Sequence, residues 1–106
     1  MRKPIMAANW KMHKTNQEAL EFVREFKHLV QENKEVEIVL CVPFTQLPTV
    51  GEELNETTIA LGAQNMYPSE QGAFTGEISP TMLLDLGVKH VILGHSERRE
   101  FFGEND

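Results

Sequence analysis

The sequence contains one cysteine, Cys41, so it can form neither an internal disulfide nor a zinc site built on cysteine pairs. That scarcity fits a reducing compartment, and Cys41, inside an apolar run, is expected to be a core thiol. Basic charge is scarce as well: 10 Lys and Arg stand against 16 Asp and Glu, a formal net charge of −6. A chain of this sign is not attracted to polyanions, which argues against a nucleic-acid partner or an anionic membrane surface. Long apolar runs are missing too. The N-terminal stretch MRKPIMAANWKMHK is basic, but its apolar run is short and broken by Asn9, so it reads as neither a signal peptide nor a membrane span. The expected location is cytoplasmic. On that reading the sequon Asn55-Glu56-Thr57 is an accidental match, because the glycosylation machinery does not meet it.

What is present is enough for one globular unit over residues 1–106, with 41% hydrophobic and 25% charged residues and no low-complexity segment, repeat or linker to divide it. Two periodicities alternate along it. Ile5, Met6, Ala7 and Ala8 form a short apolar run that ends at Asn9, as a buried strand does. From Thr15 the spacing changes: Ala19, Phe22, Val23, Phe26, Leu29 and Val30 recur every three to four residues, and Thr15 with Glu18 can form a capping box. The spacing predicts a helix there. Residues 36–42 read as a second buried strand stopped by Pro43, followed by a weaker helix around 46–54. A third strand is expected over 58–63. A polar, glycine-rich loop then runs over 64–79, long enough to imply a task. Ser79-Pro80 opens a helix filled by Leu83, Leu84 and Leu86 and closed by Gly87, and residues 88–93 make the fourth strand.

This order implies four parallel strands alternating with helices, an α/β fold. Periodicity does not separate an open sheet from part of a closed barrel, but in both the ligand lies at the carboxyl ends of the strands. Those ends are residues 9–11, 43–44, 64–65 and 95–97. Alternation sets Asn9 and Lys11 on the face of Ile5 and Ala7, while Trp10 points away with Met6 and Ala8. A lysine just beyond a strand most often reaches water; two polar residues continuing an apolar inner face weigh against that. By the same alternation His95 shares a face with Val91 and Leu93, and it precedes a helical turn expected over 97–102. An imidazole at a helix N-terminus sits in a positive field that disfavours its protonated form, which suits a neutral donor or acid.

Competing chemistries fare worse. Ser96 lacks the Gly-x-Ser-x-Gly elbow and is better explained as a helix cap. His13, His28, His90, His95 and Glu97 have no recognised metal spacing, so no metal is expected. No Walker or dinucleotide glycine pattern occurs; the glycines at 72 and 76 serve turns inside a long loop. Arg98 and Arg99 beside Phe101 and Phe102 are flanked by Glu97, Glu100 and Glu104, which favours ion pairing over nucleic-acid stacking.

"AANWKMH", "GAQNMYPSEQGAFTGEIS" and "VILGHSERREFFGE", in this order and spacing, resemble the N-terminal part of the triosephosphate isomerase family over essentially the whole chain. The resemblance implies the first half of a (β/α)8 TIM barrel and a cofactor-free, dimeric glycolytic enzyme that interconverts dihydroxyacetone phosphate and glyceraldehyde 3-phosphate. It makes Asn9 and Lys11 substrate-binding, with Lys11 steadying the enediolate and the phosphate, and His95 the proton-shuttling electrophile. Glu97 becomes a supporting group near Lys11, and Ser96 supports the histidine's surroundings. The 64–79 loop becomes a homodimer arm whose Thr75 reaches toward Asn9 and Lys11 of the partner subunit. One departure limits the match. A barrel of this class takes about 250 residues, and the family's glutamate base, closing phosphate loop and glycine-rich phosphate loop belong to the part beyond Asp106. Residues 1–106 are therefore expected to carry half a site and to be inactive alone. The alternative expectation is a non-catalytic half-barrel that folds and self-associates through its open edges.

Overall fold

A computed structural model of the chain describes residues 4–93 and 95. The elements run β1 (Ile5–Asn9), α1 (Asn16–Leu29), β2 (Glu37–Val42), a short 3-10 turn (Phe44–Gln46), α2 (Leu47–Glu53), β3 (Ala60–Ala63), α3 (Pro80–Asp85) and β4 (His90–Val91). The strands form one parallel sheet in the order β1-β2-β3-β4. Four parallel strands alternating with helices make a half-barrel.

The helices start where the sequence chemistry places them. Thr15 caps α1: its hydroxyl accepts from the Glu18 N–H while the Glu18 carboxylate accepts from the Thr15 N–H, so two otherwise orphaned donors are met. Ser79 accepts from the Met82 N–H, and Pro80 sits at the first position of α3, where a missing N–H does no harm.

Register divides the sheet into two faces. Ile5, Ala7 and Asn9 align with Glu37, Val39 and Cys41, and that row continues through Ala60 and Gly62 to His90. In the opposite row, Ala8, Leu40, Val42, Leu61, Ala63 and Val91 face the helices, whereas Met6 at its edge is 65% exposed. There Leu40, Val42, Leu61 and Ala63 pack with Ala19 and Val23 of α1, Leu47 and Val50 of α2 and Leu83 of α3. Leu40 and Leu47 are almost completely excluded from water, each contributing about 2 kcal/mol of transfer free energy. Trp10 joins this helix-side core, as alternation predicts, with the Phe22 ring edge-on at 5.5 Å and the Lys14 ammonium 5.7 Å from its centroid.

Several boundaries differ from expectation. β3 begins at Ala60 and β4 spans two residues, because strand length is set by the partner's ladder and β3 offers β4 only Gly62 and Ala63. Leu29 and Leu84, placed on apolar faces by spacing, are 79% and 71% exposed. Both lie on helix flanks that no described element covers. Among the described residues, no helix is long and apolar enough to cross a membrane.

Candidate active site

At the carboxyl ends of the strands the sheet opens into a cleft of about 710 Å³. Asn9, Lys11, Gln64 and His95 all line it, with Pro43 and Phe44 on one side and Gly76, Glu77 and Ile78 of the 64–79 loop on another. Three of the residues singled out from sequence thus meet in one place. Ser96 and Glu97, and the turn expected over 97–102, lie outside the described residues.

Asn9 is the last residue of β1, half-buried on the inner row. Its Oδ1 accepts from the Lys11 N–H at 2.9 Å, the short Asx loop by which asparagine turns a chain. Lys11 has φ 55, a left-handed conformation that an L-residue with a Cβ resists. The strand therefore does not simply run on: past Asn9 the backbone bends, and the bend delivers Lys11 to the cleft. Alternation predicted the right destination for Lys11 by a route that the chain does not follow.

His95 needs a correction. Alternation puts it with Val91 and Leu93, but β4 stops at Val91, whose side chain packs on the helix side, and Leu93 is 58% exposed. The cleft is lined instead by Ile92 and His95. A period of two holds only while the ladder holds, and among the described residues the last bond of this ladder runs from the Ile92 N–H to the Ala63 carbonyl, at 2.9 Å.

The sequence marks Gln64 only as a strand end, yet it organises the cleft floor. Its Nε2 faces the Lys11 carbonyl at 2.9 Å, the Cys41 carbonyl at 3.2 Å and the Asn9 Oδ1 at 3.3 Å. One carboxamide thereby ties the ends of β1, β2 and β3 together. Position 64 follows Ala60 and Gly62 at a spacing of two, so the alternation applied to Asn9 also points to it. Cys41 lies beneath, buried as expected of a core thiol, and burial pushes its thiol up from the ordinary range.

The 64–79 loop is self-braced. Tyr67 N–H donates to Ile78 at 2.8 Å, Glu77 N–H to Phe74 at 2.9 Å, and the Tyr67 and Phe74 rings stand 4.3 Å apart. Thr75 is exposed beside the Gly76 and Glu77 lining. Among the described residues, no group of three or more His, Cys, Asp and Glu side chains gathers as a metal holder.

The sequence model of the family described as "Triosephosphate isomerase" matches residues 4–106. The chain belongs to the triosephosphate isomerase family. It is 57% identical over 106 residues to the triosephosphate isomerase of Carboxydothermus hydrogenoformans and 58% identical over 106 residues to that of Geotalea uraniireducens. All of this chain is covered in both matches, but 42% of each relative. A crystal structure of triosephosphate isomerase from Bartonella henselae superposes on 98% of the chain and 43% of its own length, with a TM-score of 0.90 and 38% identity. The chain therefore spans less than half the length of the triosephosphate isomerases it matches, their N-terminal part.

Proposed function

We propose that the chain supplies the electrophilic half of a triosephosphate isomerase site, acting on dihydroxyacetone phosphate and glyceraldehyde 3-phosphate through an enediolate. The observation that carries this reading is the convergence of Asn9, Lys11 and His95 on one cleft at the strand ends. When a proton leaves the carbon next to a carbonyl, negative charge gathers on the carbonyl oxygen. Donors already aimed at that oxygen stabilise the transition state more than the ground state. His95 is the donor and proton shuttle between the two substrate oxygens. The Lys11 ammonium steadies both the enediolate and the phosphate, and Asn9 holds the substrate while its Oδ1 holds the Lys11 backbone. Ser96 and Glu97 support this set. The abstracting base comes from the part of the barrel that the relatives possess beyond the matched region.

On this reading the protein is a cytoplasmic, glycolytic homodimer whose 64–79 arm, with Thr75, enters the partner's cleft, and neither a nucleic acid nor a membrane is a partner. A second reading, a non-catalytic half-barrel that folds and self-associates, is favoured by apolar exposure at the sheet margins: Ile5 58%, Met6 65% and Leu93 58%.

A coupled isomerase assay separates the two. Residues 1–106 made alone should show no turnover. Joined to the C-terminal part of the Carboxydothermus hydrogenoformans relative, they should turn over triose phosphate, and His95→Ala should lower kcat by about a hundredfold or more. Turnover by residues 1–106 alone, abolished by His95→Ala, would show that half a site suffices. Full activity of the joined His95→Ala protein would remove the electrophile role.

A further inference from the structure

The loop from β1 to α1 takes a shape that its own residues resist. Lys11 has φ 55 and Lys14 has φ 76, both in the region where a Cβ crowds the neighbouring carbonyl, and no glycine lies between Asn9 and Thr15. Contacts from elsewhere must hold it. Gln64 grips the start of the loop at the Lys11 carbonyl. The end is gripped by a residue that neither the sequence motifs nor the cleft lining includes.

Gln46 closes the 3-10 turn after β2 and is 3% exposed. Its backbone N–H is satisfied by the Pro43 carbonyl at 3.0 Å. Its Nε2 donates to the carbonyl oxygens of His13, at 3.4 Å, and of Lys14. Its Oε1 faces no donor among the described residues. Burying an amide oxygen without a donor is unfavourable, so the hydrogen bonds that favour this side chain in its place are those it makes to the loop. Its neighbours Leu47 and Val50 belong to the apolar core, where a hydrocarbon side chain would pack without that penalty.

We propose that Gln46 is a positioning residue for Lys11, fixing the left-handed β1–α1 loop by its grip on the carbonyls of residues 13 and 14. The proposal rests on the reading of Lys11 as substrate-binding. With the grip released, Lys14 relaxes from φ 76, the loop gains freedom and Lys11 is no longer fixed in the lining of the cleft.

The test uses the joined enzyme described above. Gln46→Met keeps the volume and removes both donors; kcat/KM per folded molecule should fall about tenfold, chiefly through a rise in KM. Lys14→Gly should leave activity within about twofold when made alone and restore most of it in the Gln46→Met background, since glycine adopts φ 76 without support. A loss of packing alone would not be rescued in this way. Gln46→Asn, which withdraws the amide by one methylene, is the second variant, read by the same two criteria should the methionine variant not fold. A lowered Tm with unchanged kinetics, or a kinetic loss that Lys14→Gly does not repair, overturns the proposal. Lys11→Met separates it from the site reading: loss of turnover there with normal Gln46→Met kinetics overturns only the Gln46 role, whereas turnover by Lys11→Met overturns both.

Discussion

Gly62 marks how closely the inner face of the sheet is packed. A Cβ built there lies 2.6 Å from the Cys41 Sγ and 3.1 Å from a Val39 methyl, both held on buried strand residues. Gly62→Ala should therefore destabilise the fold by about 1–3 kcal/mol through overpacking, read as a lower denaturant midpoint. Gly76→Ala is the contrast: nothing lies within 4 Å of its added Cβ, but φ +93 strains an L-residue, so about 1 kcal/mol is expected from backbone alone. Equal, negligible effects would mean that the strands yield and that β2 and β3 are less fixed than their register implies. At this scale the sequence is uneven. Asn9, Lys11 and His95 were legible because polar residues at the ends of apolar runs stand out, and the structure brings them together. The left-handed turn at Lys11 was not, because no glycine announces it, and the buried Gln46 was not, because one amide among Thr45, Leu47 and Pro48 carries no periodic signal.

Between elements, the clearest polar bond joins α1 to the end of α2. Lys27 Nζ lies 2.6 Å from one Glu53 carboxylate oxygen, Arg24 Nε lies 3.0 Å from the other, and Lys27 also donates to the Glu53 carbonyl at 3.4 Å. The hydrogen bond from Lys27, and then that from Arg24, hold the Glu53 carboxyl below its usual range. The unfolded chain keeps the ordinary value, so this pairing stabilises the fold fully above the normal carboxylate range and is lost as pH falls through the depressed folded value. Glu53→Gln should accordingly lower Tm near neutrality, and the gap from the parent protein should close in acid. A gap that stays constant or widens as pH falls would place the effect outside ionisation. Element identity was well marked in sequence wherever a local device specified it: the Thr15 and Glu18 capping box and the Ser79-Pro80 start both stand where spacing put them. Strand lengths were not, because β3 and β4 are defined by each other's hydrogen bonds, and no property of residues 88–93 alone stops pairing at Val91.

For the whole molecule, opposing forces act on a half-barrel made as residues 1–106 alone. Among the described residues β1 and β4 have a strand neighbour on one side only, and Ile5, Met6 and Leu93 expose apolar surface there. Leu61 does not contribute: it lies on the helix side and is 4% exposed. Apolar edges favour association, whereas a net charge of −6 opposes it. At physiological ionic strength the screening length is about 8 Å, so repulsion between molecules is weak beyond contact and edge burial should win. Residues 1–106 should therefore self-associate at micromolar concentration in sedimentation, more strongly as salt is raised. Met6→Lys separates the edge from the 64–79 arm as the cause. A charge on an open strand margin should shift the population toward monomer without touching Tyr67, Phe74 or Thr75, while Phe74→Ser should do so only if the arm carries the contact. A compact monomer that persists in high salt would mean that the margins of β1 and β4 are sealed by the chain itself.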